Sequence, residues 1–138
     1  MILLDTSGLL SWIDAGQSRH REVAESMAEV DGPFLLSQFV LAELDYLLAT
    51  RVGPKAQRAI LEEVQRGAYR LETFTASDVG LAHEVIRKFG DLEIGLADAS
   101  IVVLAERHSC TTVLTLDERH FRVLQVKGKP FRLLPSDS

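Results

Sequence analysis

Asp5, Glu43, Asp98 and Asp117 each stand alone in the most apolar stretches of the chain. Asp5 and Asp117 end strand-like runs, Met1 to Leu4 and Thr112 to Leu116, whereas Glu43 and Asp98 sit inside apolar helical patterns. Taking an ionised carboxylate out of water costs several kcal/mol unless a cation or hydrogen-bond donors offset it. Four acids set against a core therefore point to a bound cation. Oxygen ligands suit Mg²⁺ or Mn²⁺ better than zinc. Such an ion can activate water and steady charge on a phosphoryl group, so the chemistry expected is hydrolysis of phosphodiester bonds.

The local settings differ. Asp5 precedes Thr6-Ser7 and Asp117 precedes Glu118, so either could serve as a helix N-cap. Two carboxylates at one rim of a sheet would repel each other, which would raise one pKa or recruit a cation. Glu43 has Phe39, Val40 and Leu47 one turn away, and Asp45 has Leu41 and Leu48. Periodicity does not choose between these two. Asp98 is surrounded by Leu96, Ala97, Ile101 and Val102, near a helix start where the dipole favours negative charge. His20, His83, His108 and His120 have no spacing that builds a transition-metal site, although His120 stands close enough to Asp117 to orient a water or phosphate. No phosphate loop and no nucleophile elbow is present. Arg119 and Arg122, just after Asp117, are candidates for contacting substrate phosphates.

The elements that must position these acids alternate between strand and helix. Strands are expected at residues 1–4, 34–36, 69–74, 112–116 and 131–134. Helices are expected at 6–14, from Ser18 to about Val30, from Ser37 through Ala49, and from Pro54 to Gly67. Three more follow at 79–89, 95–108 and near 118–124. The stretch from Phe39 to Ala49 is apolar nearly all round and should be buried. Strands separated by helices imply an α/β fold, with a parallel sheet covered on both faces and reactive groups beyond the strands' carboxyl ends. Residues 1–135 read as one domain, with 136–138 frayed.

At 138 residues with 46% hydrophobic and 25% charged positions, the chain can build a core without staples. The single cysteine, Cys110, forms no intrachain disulfide and should pack as a small apolar residue. No leader or membrane-spanning run is seen, which suits a cytoplasmic protein with no membrane partner. A net charge of −5 weighs against a simple nucleic-acid-binding module. It weighs less against a nuclease, because a divalent ion inverts the local potential.

Four pieces, in order, carry a family resemblance: Leu4-Asp5-Thr6-Ser7, Ser37 through Ala42-Glu43-Leu44, Gly95-Leu96-Ala97-Asp98-Ala99, and Thr115 through Asp117-Glu118-Arg119-His120-Phe121. The chain resembles PIN-domain ribonucleases, specifically VapC-type toxins of bacterial toxin–antitoxin pairs. The resemblance implies a three-layer α/β/α domain with a parallel sheet of about five strands. It selects Glu43 over Asp45 and makes Asp5, Glu43, Asp98 and Asp117 the acidic quartet, with Asp5, Asp98 and Asp117 on a Mg²⁺ or Mn²⁺ ion. It further implies endonucleolytic cleavage of structured transfer or ribosomal RNA, a homodimer, and a VapB-type antitoxin through which the complex binds promoter DNA. Leu10 and Trp12 would then help line the antitoxin groove. The alternative is a catalytically weak PIN-like module that docks a protein or RNA.

Overall fold

The computed structural model describes residues 1–138. In chain order the elements are β1 (Ile2–Leu4), α1 (Thr6–Ile13), α2 (His20–Met27), β2 (Phe34–Ser37), α3 (Gln38–Leu47), α4 (Pro54–Gln65), β3 (Arg70–Glu72), α5 (Ala76–Lys88), α6 (Leu96–His108), β4 (Thr112–Leu114), α7 (Glu118–Phe121), β5 (Gln125–Val126), β6 (Lys129–Pro130) and β7 (Arg132–Leu134). Five strands form one parallel sheet in the order β3-β2-β1-β4-β7. The chain moves outward from β1 through β2 to β3, then crosses to β4 on the other side. Right-handed crossovers accordingly put α1 to α4 on one face and α5 and α6 on the other. The order reverses between β1 and β4, where Leu3 pairs with both Leu35 and Val113.

The core lies on both faces of β1, β2 and β4. Ile2, Leu3, Leu35, Leu36, Val113 and Leu114 are fully buried, which explains their unbroken apolar runs in a parallel sheet. Helix α6 is the most deeply packed, with every residue from Ala99 to Ala105 buried. Cys110 is buried, as its isolation suggested. Ser37 caps α3 by accepting from the Phe39 N–H, and Thr75 with Asp78 forms a capping box on α5.

Four expectations need correction. Ser18 does not cap α2, which starts two residues later behind Arg19 with no side-chain cap. Helix α3 is not buried all round: Val40 and Leu44 face the core, but Tyr46 is 66% exposed. The helix packs against α1 and α6 while leaving Tyr46 in solvent, and then passes into a π turn, Leu48–Val52. The small antiparallel hairpin of β5 and β6 falls where no strand was expected. The last residues are tied down rather than frayed. Asp137 accepts from the Leu133 N–H and holds Arg122 through both carboxylate oxygens.

One close approach sets how α1 enters. A Cβ on Gly8 would lie 2.5 Å from the Leu114 carbonyl oxygen and 2.7 Å from its Cγ. Only glycine lets the first turn of α1 rest on the end of β4, which brings the segment after Asp5 against the segment before Asp117. Helix propensity alone favours alanine over glycine by about 1 kcal/mol. Gly8→Ala should nevertheless destabilise the protein by about 1–3 kcal/mol through overpacking. Urea unfolding distinguishes the two signs, and a stabilised variant would mean that α1 does not rest on β4 this closely.

Candidate metal centre

The four acids come from separate segments and line one cavity of about 260 Å³, together with Thr6, Ser7, Gly95, Leu96, Ala97 and His120. Asp5 follows β1 and Asp117 lies just beyond β4, neighbours across the switch in strand order. Asp98 sits in the first turn of α6 and Glu43 lies midway along α3. Those helices are joined underneath by a buried 2.7 Å hydrogen bond between the Ser37 and Ser100 hydroxyls. This is the crevice where open α/β sheets collect their ligands.

Asp5 forms the floor. It is 4% exposed and makes no side-chain cap to α1. Two hydroxyls converge on its Oδ2: Thr115 Oγ1 donates at 2.6 Å and Ser7 Oγ at 3.1 Å. These hydroxyls also accept from the backbone, Thr115 from the Asp117 N–H at 2.9 Å and Ser7 from the Leu116 N–H at 3.0 Å. The result is a lattice that locks the end of β1 to the end of β4. Asp5 Oδ1 receives no side-chain donor. Burial pushes the Asp5 carboxyl up to about 7, with the Asp98 charge adding to the rise and the Thr115 and Ser7 hydroxyls opposing it.

Asp98 and Asp117 occupy the middle of the cavity wall. Burial also raises the Asp98 carboxyl; His120 opposes the rise, while Asp117 and Glu43 add to it. Asp117 caps α7 by accepting from the His120 N–H at 3.0 Å, and its other oxygen accepts from His120 Nδ1 at 2.8 Å. The capping expected of Asp117 and its place in the cavity thus coexist. Glu43 is exposed at the rim. Asp45 instead accepts from Gln57 Nε2 at 2.8 Å, turned toward α4. The geometry separates the two acids that periodicity left open.

The residues fit a divalent cation. One ligating atom from each of Asp98, Asp117 and His120 lies within 4.8 Å of the others, and Asp5 lines the same cavity with its two side-chain donors both on Oδ2. His120, expected only as a residue that could orient a water or phosphate, lines the cavity, and Ser7 and Thr115 were not expected to build the site. The latter two sit two residues from an acid, but their pairing spans 108 residues and leaves no mark in local pattern. Of the two arginines considered for phosphates, Arg122 is engaged by Glu118 and Asp137. Arg119 is exposed and makes no ion pair. Leu10 and Trp12 pack against the core while staying partly accessible, and Trp12 meets Phe34 edge to face at 5.2 Å.

Residues 2–126 match the family model described as PIN domain. The chain is 42% identical over 135 residues to ribonuclease VapC26 of Mycobacterium tuberculosis, covering 97% of this chain and all of that protein. Among solved structures it is similar to VapC20 of the same organism, described as a sarcin-ricin loop cleaving toxin. That match has a TM-score of 0.79 and 25% identity, over 85% of this chain and 90% of that one. VapBC2 from Rickettsia felis, bound to a DNA fragment from its promoter, shares the fold at a TM-score of 0.67 and 19% identity. It covers 96% of this chain and 98% of that one.

The raised Asp5 carboxyl has a stability consequence. The folded state binds this proton more tightly than the unfolded chain does. Its contribution is therefore fully present below the ordinary value of 3.8 and is lost as pH rises toward about 7. Carboxylates held low, such as Asp78 and Asp137, act with the opposite sign, so the difference from a variant is what matters. With a chelator present, Asp5→Asn should gain stability over the original chain as pH rises through that window. Parallel urea midpoints across it would show that Asp5 is not held in its protonated form.

Proposed function

This chain belongs to the PIN-domain family, and from that premise we propose that it is the toxin of a toxin–antitoxin pair, a Mg²⁺- or Mn²⁺-dependent endoribonuclease. The observation that carries this reading is the convergence of Asp5, Glu43, Asp98 and Asp117 on one cavity, in a chain 42% identical to a ribonuclease. A docking module gains nothing from burying the charge of Asp5 where only part of it is hydrogen-bonded.

When bound, the ion would polarise a phosphoryl oxygen and lower the pKa of the attacking water. Asp5, Asp98 and Asp117 are the proposed ligands. Ser7 and Thr115 hold Asp5 in one orientation, so its free oxygen is presented without rearrangement. Glu43, exposed at the rim, can hold water or an ion's hydration shell by accepting hydrogen bonds. Arg119 is the available donor for a substrate phosphate, since the Arg122 guanidinium is spent within the protein.

The substrate proposed is structured RNA, consistent with the sarcin-ricin loop named for VapC20. A VapB-type antitoxin is the proposed partner, with promoter DNA bound only through it. A shallow apolar cleft beside α1, lined by Ile13, Leu48, Val52, Ala56 and Ile60, supports a groove for such a segment. A homodimer belongs to the same reading, and exposed Val79 and Leu81 on α5 give it an apolar face. The RNA substrate places the work in the cytoplasm. No helix is long and apolar enough to cross a membrane.

Asp5→Ala and Asp98→Ala should each abolish metal-dependent RNA cleavage while the protein stays folded. Glu43→Gln should reduce cleavage by about 10²-fold or more, the scale of a lost acid–base or charge-stabilising group. Asp45→Asn should leave the rate within about twofold, the change expected of a partly exposed hydrogen bond remote from the chemistry. Mapping RNA ends in cells after induction, with the Asp5→Ala chain as control, reads activity and target together. New ends shared by both chains would refute the assignment.

A further inference from the structure

We propose that His120 is a nitrogen ligand of this cation site and tilts it toward a first-row transition ion over Mg²⁺. The inference rests on the metal reading above and concerns which ion the site prefers.

The geometry carries it. His120 Nδ1 lies 2.8 Å from Asp117 Oδ2 and 3.7 Å from Asp98 Oδ2. Around an octahedral ion with ligands at about 2.1 Å, adjacent ligand atoms sit about 3 Å apart and opposite ones about 4.2 Å. The 2.8 Å separation matches adjacent ligands, the 3.7 Å one falls between the two spacings, and all three atoms lie within 4.8 Å of one another, close enough to share one ion. The ring is also well held: its backbone N–H is fixed by Asp117 Oδ1 at 3.0 Å, and its side chain is only 18% exposed. Across the cavity stands Asp5, whose Oδ1 has no side-chain donor.

No other imidazole competes for the cavity. His20 Nδ1 contacts the Ser11 carbonyl at 2.8 Å, His108 is paired with Glu72, and His83 is exposed on α5. His120 Nδ1 faces Asp117 Oδ2 at 2.8 Å. Ligation through Nδ1 takes the tautomer with its proton on Nε2, which keeps the ring neutral and directs the Nδ1 lone pair to the ion. Imidazole is a borderline-soft donor that transition ions accept, while Mg²⁺ is served by carboxylate and water oxygens. Replacing one oxygen by nitrogen thus discriminates between ions of similar size and equal charge. Mn²⁺ is the least demanding transition ion in this series, so a preference seen with it is a stringent reading.

The test uses the full chain stripped of metal and reloaded with Mn²⁺ alone, without RNA. Pulsed electron paramagnetic resonance should show nitrogen modulation on bound Mn²⁺. Labelling histidine with the heavier nitrogen isotope should change that pattern in the unmutated protein. His120→Gln should lose the modulation and weaken Mn²⁺ binding about tenfold, with Mg²⁺ affinity within about twofold by competition. Bound Mn²⁺ without nitrogen modulation, or modulation that persists in His120→Gln, overturns the ligand assignment while leaving the metal site standing. Mn²⁺ that fails to bind, or binds equally well to Asp98→Asn, brings down this inference and the metal reading together. The isotope arm decides the question even if His120→Gln does not fold.

Discussion

The structure turns on burying the carboxyl of Asp5 in the same cavity as Asp98 and Asp117, against the cost of its ionisation. Burying one carboxylate costs several kcal/mol. A hydrogen bond to a charged group returns about 1.5–3 kcal/mol. The two hydroxyls on Asp5 Oδ2 therefore offset part of the cost, and the charge of Asp98 adds to what remains. A proton on Asp5 relieves that cost at one oxygen, whereas a divalent cation would relieve burial and repulsion across several acids at once. The rest of the fold works to hold that unfavourable arrangement in place. The strand order makes β1 and β4 neighbours, Gly8 lets α1 lie on β4, and the Ser37–Ser100 bond fixes α3 against α6.

Most of this architecture was legible because its signals are local. Apolar runs ended by single acids marked the strands, and Gly53-Pro54, Gly67 and Ser37 marked helix boundaries through their own backbone preferences. Isolated acids in apolar runs drew attention to Asp5, Asp98 and Asp117 because charge is rare there, whereas the choice of Glu43 over Asp45 came only from the family resemblance. What stayed hidden depends on distant pairing. Ser7 and Thr115 look like ordinary turn and strand residues until β1 and β4 lie side by side. Gly8 reads as a weak point in a helix, not as a contact surface. Arg122 reads as a free cation until Asp137 is placed beside it. Helix α3 failed for a different reason: an apolar circumference does not reveal how many sides are covered, and Tyr46 stands in solvent.

The electrostatics impose a division of labour on substrate approach. The chain carries a net charge of −5, and of the two arginines that follow Asp117, Arg122 is neutralised internally by Glu118 and Asp137. Long-range attraction of a polyanion is therefore weak. Binding must depend on short-range contacts once the cavity's own charge has been offset. A site of this kind is inactive toward nucleic acid by simple repulsion when its acids stand alone, and it changes sign locally when a cation enters.

The four acids also form a gradient of solvent access. Asp5 is sealed at the floor, Asp98 and Asp117 are half-buried on the wall, and Glu43 stands in solvent at the rim. The carboxyl shifts follow the same gradient, strongest at Asp5 and upward at Asp98, because desolvation is the first cause of each. Rigidity runs in parallel. The floor is fixed by hydroxyls bonded to the backbone of the neighbouring strand segment, whereas the Glu43 side chain stands exposed on α3. Under the proposed function, the deep end would hold an ion in one geometry, and the shallow end would keep the freedom to meet a large, irregular substrate.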